Sequence, residues 1–269
     1  MSYPGPCTVP SLFGRWKGLR EAALDILYPR ACCGCKTPLP RSTPRQGLKG
    51  WFCGTCADEL PRVDAPYCTL CGEPYDGAIT SENFRCWNCE GRRIAFDFAV
   101  AGFKAEGAVR ELIHRFKYHR ELALRGVLAD LLLGALADPR LAREDLSQWL
   151  LVPVPLHFWR ERKRQFNQSW ELCVSLSKMT GIPAIKALRR RKPTQAQARL
   201  DREERLANMR GVFALRRSLP WQKAPELEGR RILLVDDVLT TGATTHACAK
   251  VLKRKGGAEK VVVITAARG

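Results

Sequence analysis

The stretch 231–244 combines residue types that can bind a phosphorylated sugar. An apolar run, 232–235, ends in two adjacent acids, Asp236 and Asp237, and a loop of Thr, Gly and Ala follows before a helix-like segment. A strand, a small-residue loop and a helix N-terminus in this order form an anion site, because free backbone N–H groups and the helix dipole face the ligand. Paired carboxylates suit the 2- and 3-hydroxyls of a ribose better than they suit phosphate. We therefore expect a ligand with a ribose at the acidic end and a 5-phosphate at the glycine end.

The same stretch, Leu-Val-Asp-Asp-Val-Leu-Thr-Thr-Gly-Ala-Thr, resembles the ribosyl-phosphate motif of type I phosphoribosyltransferases. The resemblance implies that Asp236 and Asp237 are the catalytic pair, which binds the ribose hydroxyls of phosphoribosyl pyrophosphate (PRPP) and reaches Mg²⁺ directly or through water. It also implies a row of PRPP contacts at the strand end and in the loop: Val235, Thr240, Thr241, Gly242, Ala243 and Thr244. The alternative is an ordinary strand-to-helix turn in which both acids are solvated.

Eight of the twelve cysteines form four Cys-x-x-Cys pairs near the N-terminus. Two such pairs can close a tetrahedral four-thiolate zinc site, and disulfides are rare in a reducing compartment. Pairing in sequence order predicts two structural zinc sites, one from Cys32, Cys35, Cys53 and Cys56 and one from Cys68, Cys71, Cys86 and Cys89. Interleaved pairing, a site that has lost its metal and Cys33 in place of Cys32 are alternatives. A redox role is disfavoured because no βαβ pattern surrounds the pairs. Glycines 34, 54 and 72 are expected to adopt φ > 0 in tight turns.

From residue 96 onward, strand-like and helix-like segments alternate, which predicts an α/β domain with a mostly parallel sheet and helices on both faces. We expect strands at 96–103, 149–154, 231–235 and 260–264, and helices at 105–118, 122–136, 165–180 and 245–255. The acidic pair then lies at the carboxyl end of a strand, where such sheets bind ligands.

The sequence predicts three parts. The first is a start segment with an amphipathic helix at 12–27 (residues 1–30), the second is a double zinc-ribbon module (31–92), and the third is a type I phosphoribosyltransferase-like domain (93–269). The zinc-ribbon module holds little apolar area, so metal binding is expected to supply its folding free energy.

A second resemblance covers residues 25–269 and involves the ComF family, phosphoribosyltransferase-like proteins with an N-terminal zinc ribbon that are linked to DNA uptake in natural transformation. Its blocks are Pro-Val-Pro at 153–155 with Phe-Asn-Gln at 166–168, Ile-His-Arg-Phe-Lys-Tyr at 113–118, and a third block of spaced positions: Thr194, Gln197, Arg205, Asn208, Gly211 and Phe213. Gln165 stands where the family usually has glycine, which puts a tight turn at that point in doubt. The resemblance implies a competence helicase or other DNA-processing proteins as partners.

By position in the family, the loop after the strand at 149–154 faces the pyrophosphate of PRPP. The candidate contacts there are His157, Arg160 and Asn167. Residues 189–210 occupy the place of the mobile loop that closes over PRPP, and Lys117 and Arg205 could each contact a phosphate. For each single basic residue the alternative is a solvated surface charge.

The net charge of +18 indicates anionic partners. Residues 157–217 carry sixteen basic and five acidic side chains, more than one PRPP requires, and single-stranded DNA is the expected partner. Within this segment, the candidate nucleic-acid-binding residues are Arg189, Arg190, Arg191 and Lys192. A solubilising basic surface is the alternative. No apolar stretch is long enough to span a membrane and the first residues do not resemble a secretory signal, so we expect a cytoplasmic protein.

Three functions are compatible with these features. The first is a ComF-type competence factor that binds PRPP and single-stranded DNA, with or without turnover. The second is an active phosphoribosyltransferase on an unidentified base, amine or nucleic-acid acceptor. We expect no standard salvage enzyme, because no base-binding segment is recognisable after the strand at 260–264. The third is a non-catalytic zinc-ribbon adaptor, which would not bind PRPP.

Overall fold

The computed structural model describes residues 30–40, 42–44, 46–77, 83–192, 211–216 and 226–269. The helix expected at 12–27 lies outside these residues. The chain divides into two compact units, Met1–Asp58 and Glu59–Gly269. The division falls between the two groups of cysteines, so the second group belongs to the unit that also contains the sheet. It does not coincide with the boundary at 92/93 that composition suggested.

The smaller unit is organised around the first two Cys-x-x-Cys pairs. An isolated antiparallel bridge joins Ala31 and Pro38 on either side of the first pair. A 3₁₀ helix at Leu48–Gly50 precedes the second pair, and a short helix, α1 (Gly54–Asp58), begins directly after Cys53 and contains Cys56.

A four-stranded parallel sheet forms the centre of the larger unit. Its strands are β1 (Phe98–Lys104), β2 (Trp149–Pro153), β5 (Arg231–Leu239) and β6 (Lys260–Arg268), in the spatial order β1-β6-β5-β2. A separate antiparallel hairpin pairs β3 (Leu188–Arg190) with β4 (Phe213–Leu215). Residues 193–210, which include the third block of the resemblance up to Asn208 and with it Arg205, lie outside the described part of the chain.

Two central strands are longer than the sequence predicted. β5 continues past Val235 through both acids, with Asp236 opposite Thr265 and Val238 opposite Ala267 of β6. The expected ends at 235 and 264 were wrong because they followed the apolar run. Backbone pairing between parallel strands does not depend on apolar side chains and carries the ladder further.

The helices of the larger unit have these bounds: α2 Gly107–Tyr118, α3 Arg125–Leu136, α4 Pro139–Ala142, α5 Phe158–Arg164, α6 Gln168–Thr180 and α7 Ala243–Gly256. Two more 3₁₀ helices lie at Leu122–Leu124 and Leu146–Gln148. The helix expected to begin at 165 begins at Gln168. The residues before it form a turn that follows α5, a helix the sequence analysis did not predict.

Helices cover both faces of the sheet, as predicted. On one face, Cys248, Ala249 and Leu252 of α7 pack with Ile232, Leu234, Val261 and Val263 of the sheet. α3 contacts β1 and β6, α6 contacts β2 and β5, and the two helices contact each other. Because side chains alternate along a strand, these helices cover the opposite face. Within the described residues, no helix is long and apolar enough to cross a membrane.

Candidate functional site

The acidic pair lies near the carboxyl end of β5, between its neighbours β2 and β6. One oxygen of Asp236, Oδ1, accepts a hydrogen bond from the Ser169 hydroxyl (3.0 Å) and another from the backbone N–H of Asp237 (3.0 Å). The Asp237 carboxylate is buried and forms an ion pair with Lys117 Nζ at 2.8 Å. Both acids are therefore held by the protein rather than solvated, which is unlike the solvated turn considered above.

The environment of the pair makes one carboxyl easy to protonate. Burial, and then the negative charge of Asp237, raise the pKa of Asp236 to about 7. Burial lowers the pKa of Lys117, but the ion pair with Asp237 and the charge of Asp236 outweigh it and leave this pKa raised. Strongly shifted groups of this kind concentrate at binding and catalytic sites.

The loop after β5 has the backbone of an anion site. Gly242 adopts a left-handed conformation (φ 71°) and precedes α7, and no side chain caps the first turn of that helix. The Thr245 hydroxyl donates to the carbonyl of Gly242 (3.1 Å), so it does not occupy the first amides. The amides at the start of α7 thus remain available to a phosphate group.

A second loop, which follows β2, lies beside the acidic pair. The N–H of Val154 donates to the carbonyl of Val235 (2.9 Å), which places residues 154–157 next to the end of β5. The Nδ1 atom of His157 is buried and has no hydrogen-bond partner among the described residues. Arg160 follows in the first turn of α5.

Asn167 has a role in the chain itself. Its Oδ1 accepts from the N–H of Trp170 (3.4 Å) at the start of α6, and its Nδ2 donates to the carbonyl of Val154 (3.2 Å). Both polar ends of this buried side chain therefore fix the loop after β2. Contact between Asn167 and PRPP stays a prediction, but the structure gives the residue a positioning role.

Three residues of the site were not predicted in the roles that the structure gives them. Ser169 was not singled out, although it directly follows Asn167 and Gln168. Lys117 was expected on a phosphate but pairs with Asp237. Arg190 was expected on a nucleic-acid surface, yet it is partly buried, and its guanidinium lies over the Phe213 ring at 5.4 Å from the ring centroid. Burial, and then the neighbouring charge of Arg160, lower the pKa of Arg190.

The cysteines form two groups of four, and each joins two Cys-x-x-Cys pairs that are consecutive in the sequence. The Sγ atoms lie within 4.8 Å of one another in each group: Cys32, Cys35, Cys53 and Cys56 in the first cluster, and Cys68, Cys71, Cys86 and Cys89 in the second cluster. Cys33 is not a member of the first cluster. The interleaved arrangement is thus not the one that the structure contains.

The two clusters repeat the same turn. The N–H of Lys36 donates to the carbonyl of Cys32 (3.0 Å), and the N–H of Gly72 donates to that of Cys68 (2.8 Å). Both Lys36 and Gly72 have positive φ (67° and 69°). The expectation of positive φ was therefore correct at Gly72. It was wrong at Gly34, where a Cβ atom would lie 2.8 Å from Cys56 Sγ and glycine is needed for space, and at Gly54, which begins α1.

The chemistry of the clusters fits zinc. Four thiol sulfurs at mutual contact match the ligands and number of a structural Zn²⁺ site. The N–H of Cys53 donates to Cys32 Sγ (3.3 Å), a bond that favours a thiolate. In the first cluster, hydrogen bonding from Thr37 lowers the pKa of Cys35 to about 6, while hydrogen bonding with Cys53 raises that of Cys56 to about 12.

Comparison with known proteins identifies two domain families in the chain. The double zinc ribbon domain family matches residues 23–90, and the phosphoribosyl transferase domain family matches residues 144–269. Among solved structures, the allosteric regulatory enzyme of purine biosynthesis is 18% identical with a TM-score of 0.36, and covers 57% of this chain and 30% of its own. Orotate phosphoribosyltransferase from Aeropyrum pernix is 17% identical with a TM-score of 0.31, and covers 56% and 75%. Because both scores are low, the class rests on the sheet and the domain families: a phosphoribosyltransferase-like protein with a double zinc ribbon.

The curated relatives define the family more closely. Competence protein F of Haemophilus influenzae is 31% identical over 82% of this chain and 91% of its own length. DNA utilization protein YhgH of Escherichia coli is 30% identical over 87% and 95%, and competence protein ComFC of Bacillus subtilis is 27% identical over 80% and 83%. The chain belongs to the ComF family of competence proteins.

Proposed function

We propose that the protein binds PRPP with Mg²⁺ at the carboxyl end of β5. The observation that carries this proposal is the acidic pair itself, in which Asp236 and Asp237 are held by protein partners near the end of a strand whose following loop leads to an uncapped helix N-terminus. A structural acid pair would not need a carboxyl with a pKa near 7 beside a phosphate-sized loop. Maintaining such a group costs folding free energy, which is typical of sites retained for function.

Each part of the site has a distinct role in this proposal. The two carboxylates accept hydrogen bonds from the ribose hydroxyls and hold Mg²⁺ directly or through water. The small-residue loop, Thr240, Thr241, Gly242, Ala243 and Thr244, surrounds the 5-phosphate with amides and hydroxyls. The loop after β2 lies beside the acids and offers His157 and Arg160 to the pyrophosphate. When Mg²⁺ is bound, it neutralises charge on the pyrophosphate as the leaving group.

Lys117 serves as the counter-ion of the site before the ligand arrives. Its ion pair with Asp237 stabilises two buried opposite charges that would otherwise be costly. Ribose hydroxyls or Mg²⁺ that reach Asp237 compete with this pair. Lys117 lies at the end of α2, and once released it is free to contact the pyrophosphate.

We also propose that the protein acts on incoming single-stranded DNA during natural transformation, in the cytoplasm and together with DNA-processing proteins such as a competence helicase. The names of the relatives support this process. A surface of the larger unit supports the proposal that the substrate is single-stranded DNA. On α5, Phe158 and Trp159 are 59% and 68% exposed, and their rings pack edge to face with centroids 5.6 Å apart. Three cations, Arg162, Lys163 and Arg164, occupy the last turn of the same helix. We call these five residues the α5 surface.

The expected nucleic-acid run at 189–192 contributes only in part to such a surface. Arg189 Nε donates to the carbonyl of Leu215 (3.2 Å) across the hairpin, and Arg190 faces Phe213. Arg191 and Lys192 are exposed. Exposed aromatic rings beside cations are the combination that single strands require, because bases stack on the rings while phosphates meet the cations.

Isothermal titration of the zinc-loaded protein with PRPP and Mg²⁺ tests the first proposal. We expect binding by the wild type and its loss in Asp236→Asn combined with Asp237→Asn. The matched control is Glu259→Gln, a carboxylate at the opposite end of the sheet that pairs with Arg231. The proposal fails if the double variant retains the wild-type affinity. A pyrophosphate assay on the same samples measures whether turnover accompanies binding.

A further inference from the structure

We propose that Arg268 is a positioning residue that couples metal binding at the second cluster to ligand binding at the phosphate loop. Arg268 is the last residue of β6 and is only 3% exposed. Burying a guanidinium costs folding free energy unless its donors are hydrogen-bonded and its charge is paired. The partners of Arg268 therefore show which parts of the protein it connects.

The guanidinium reaches the second cluster on one side. Nε donates to the carbonyl of Cys71 (3.2 Å), and Nη2 lies 3.8 Å from Cys71 Sγ. Nη2 also forms an ion pair with the carboxylate of Glu73. A Zn²⁺ ion held by four thiolates carries two net negative charges, so the loaded cluster provides Arg268 with a counter-charge in addition to Glu73.

The same guanidinium fixes the start of the phosphate loop on the other side. Nη1 donates to the carbonyl of Leu239 (2.8 Å) and to that of Gly269. The N–H of Gly269 donates to the Leu239 carbonyl as well (2.9 Å). Two donors therefore orient the peptide between Leu239 and Thr240, where the loop begins.

The far end of the phosphate loop also rests on residues close to the second cluster. Gly242 faces the ring of Phe96, which a Cβ atom at 242 would approach to 3.8 Å. The N–H of Ala95 donates to Nδ1 of His246 in α7 (3.1 Å). Only a short segment separates Cys89 from Phe96, so a shift in the position of the second cluster is transmitted to the residues that contact the phosphate loop. Both ends of the loop are thus connected to the same four thiols.

The first cluster offers a matched control, because it has the same ligands and the same turn but belongs to the smaller unit. Metal in the second cluster should therefore strengthen PRPP binding, and metal in the first should not. Coupling between sites is reciprocal in binding free energy, so bound PRPP must also raise the zinc affinity of the second cluster. This prediction rests on the proposed PRPP site.

Equilibrium competition for zinc with a zinc-selective chromogenic chelator measures the coupling. In full-length Cys56→Ser, which retains only the second cluster, we expect PRPP with Mg²⁺ to raise the zinc affinity by about fivefold or more. In the wild type, the zinc affinity of the first cluster should be unchanged by PRPP. Arg268→Met should bind PRPP about tenfold more weakly and lose the gain in zinc affinity, whereas Arg268→Lys, which retains the charge, should recover part of both.

The outcomes separate this proposal from the previous one. PRPP that binds but leaves the zinc affinity of the second cluster unchanged overturns the coupling and leaves the binding site intact. If the wild type does not bind PRPP, hydrogen exchange of 239–245 without ligand decides the coupling. Stripping zinc from Cys56→Ser should then accelerate exchange in that segment, and unchanged exchange overturns the proposal. These measurements do not require Arg268→Met to fold.

Discussion

Asp236 is the residue that shows most directly how the site lowers the stability of the folded protein. A carboxyl whose pKa is raised to about 7 in the folded protein binds a proton more tightly there than in the unfolded chain. The folded state is therefore destabilised as pH rises above the ordinary carboxyl range, and the full cost is present above pH 7. Asp236 reduces stability at the pH at which its charge is useful.

Replacing this carboxyl should make the protein more stable. In Asp236→Asn the amide oxygen can still accept from Ser169 and from the N–H of Asp237, while the charge of this half-buried side chain is gone. We expect a higher free energy of unfolding, with a gain at pH 8 that exceeds the gain at pH 6 by about 1 kcal/mol. Urea unfolding at the two pH values measures the difference, and pH 6 avoids the loss of zinc that more acidic conditions favour.

An acid with the opposite shift supplies the control. Hydrogen bonding from Ser147 lowers the pKa of Asp145, so its charge supports the folded state. Asp145→Asn should lower stability, and at least as much at pH 8 as at pH 6. A loss of stability at pH 8 in Asp236→Asn would contradict our view of the acidic pair.

Single residues also show where prediction from sequence stopped. The acids and the small-residue loop were recognisable because their types and spacing are contiguous in the chain. The partners of the acids were not, since Ser169 and Lys117 approach β5 from α6 and α2 only in the folded protein. The surroundings of Arg190 were not recognisable either, because four consecutive cations look alike in sequence, whereas in the structure Arg190 is partly buried against Phe213.

Among the elements, the turn between α5 and α6 shows how this chain departs from its family. Gln165 has φ 68° and ends α5 in the left-handed conformation, at the position where the ComF resemblance has glycine. The tight turn that the sequence put in doubt is therefore present. A side chain in this conformation is strained, and the Gln165 side chain is exposed and gains little from packing.

Gln165→Gly should relieve that strain. We expect the free energy of unfolding to rise by up to about 1 kcal/mol, since the loss of strain outweighs the added freedom of glycine in the unfolded chain. Thermal or urea unfolding measures the change. Lys163→Gly, two residues earlier and inside α5, should lower stability by roughly 0.5–1 kcal/mol. Equal losses in both variants would show that the turn does not constrain Gln165.

The α5 surface makes a separate prediction about nucleic acid. Phe158→Ala combined with Trp159→Ala should weaken binding of single-stranded DNA by about tenfold or more, because stacking contributes roughly 1–3 kcal/mol per base. Fluorescence anisotropy with a labelled oligonucleotide measures the affinity. Tyr75→Ala, an exposed ring beside Asp76, should leave the affinity unchanged. An equal effect of the two changes would argue against a stacking surface on α5.

Salt dependence tests the cations of the hairpin. If Arg191 and Lys192 each contact a phosphate, replacing both with Gln should reduce the slope of log K against log salt by about 1.4, since each contact to a single strand contributes about 0.7. An unchanged slope would remove 191–192 from the DNA-binding surface.

At the scale of the whole molecule, the sequence predicted the zinc ribbons and the sheet from two separate signals. The alternation of segments predicted the parallel sheet, and the spacing of cysteines predicted both clusters. Composition placed both ribbons together before residue 92, and the double zinc ribbon family matches residues 23–90, while the contacts of the second ribbon lie within the larger unit. Contacts such as the N–H of Ala99 with the carbonyl of Leu70 (2.8 Å) join this ribbon to β1. Such long-range backbone pairs leave no periodic signal in sequence.

The central claim is that the acids and the loop after β5 together hold a ribose and its 5-phosphate. A crystal structure of the zinc-loaded protein soaked with PRPP and Mg²⁺ tests this claim most directly. We predict density for the ribose hydroxyls at Asp236 and Asp237 and for the 5-phosphate at the amides of 240–244, with Lys117 released from Asp237. Density elsewhere, or none, with the Lys117–Asp237 ion pair intact would contradict it.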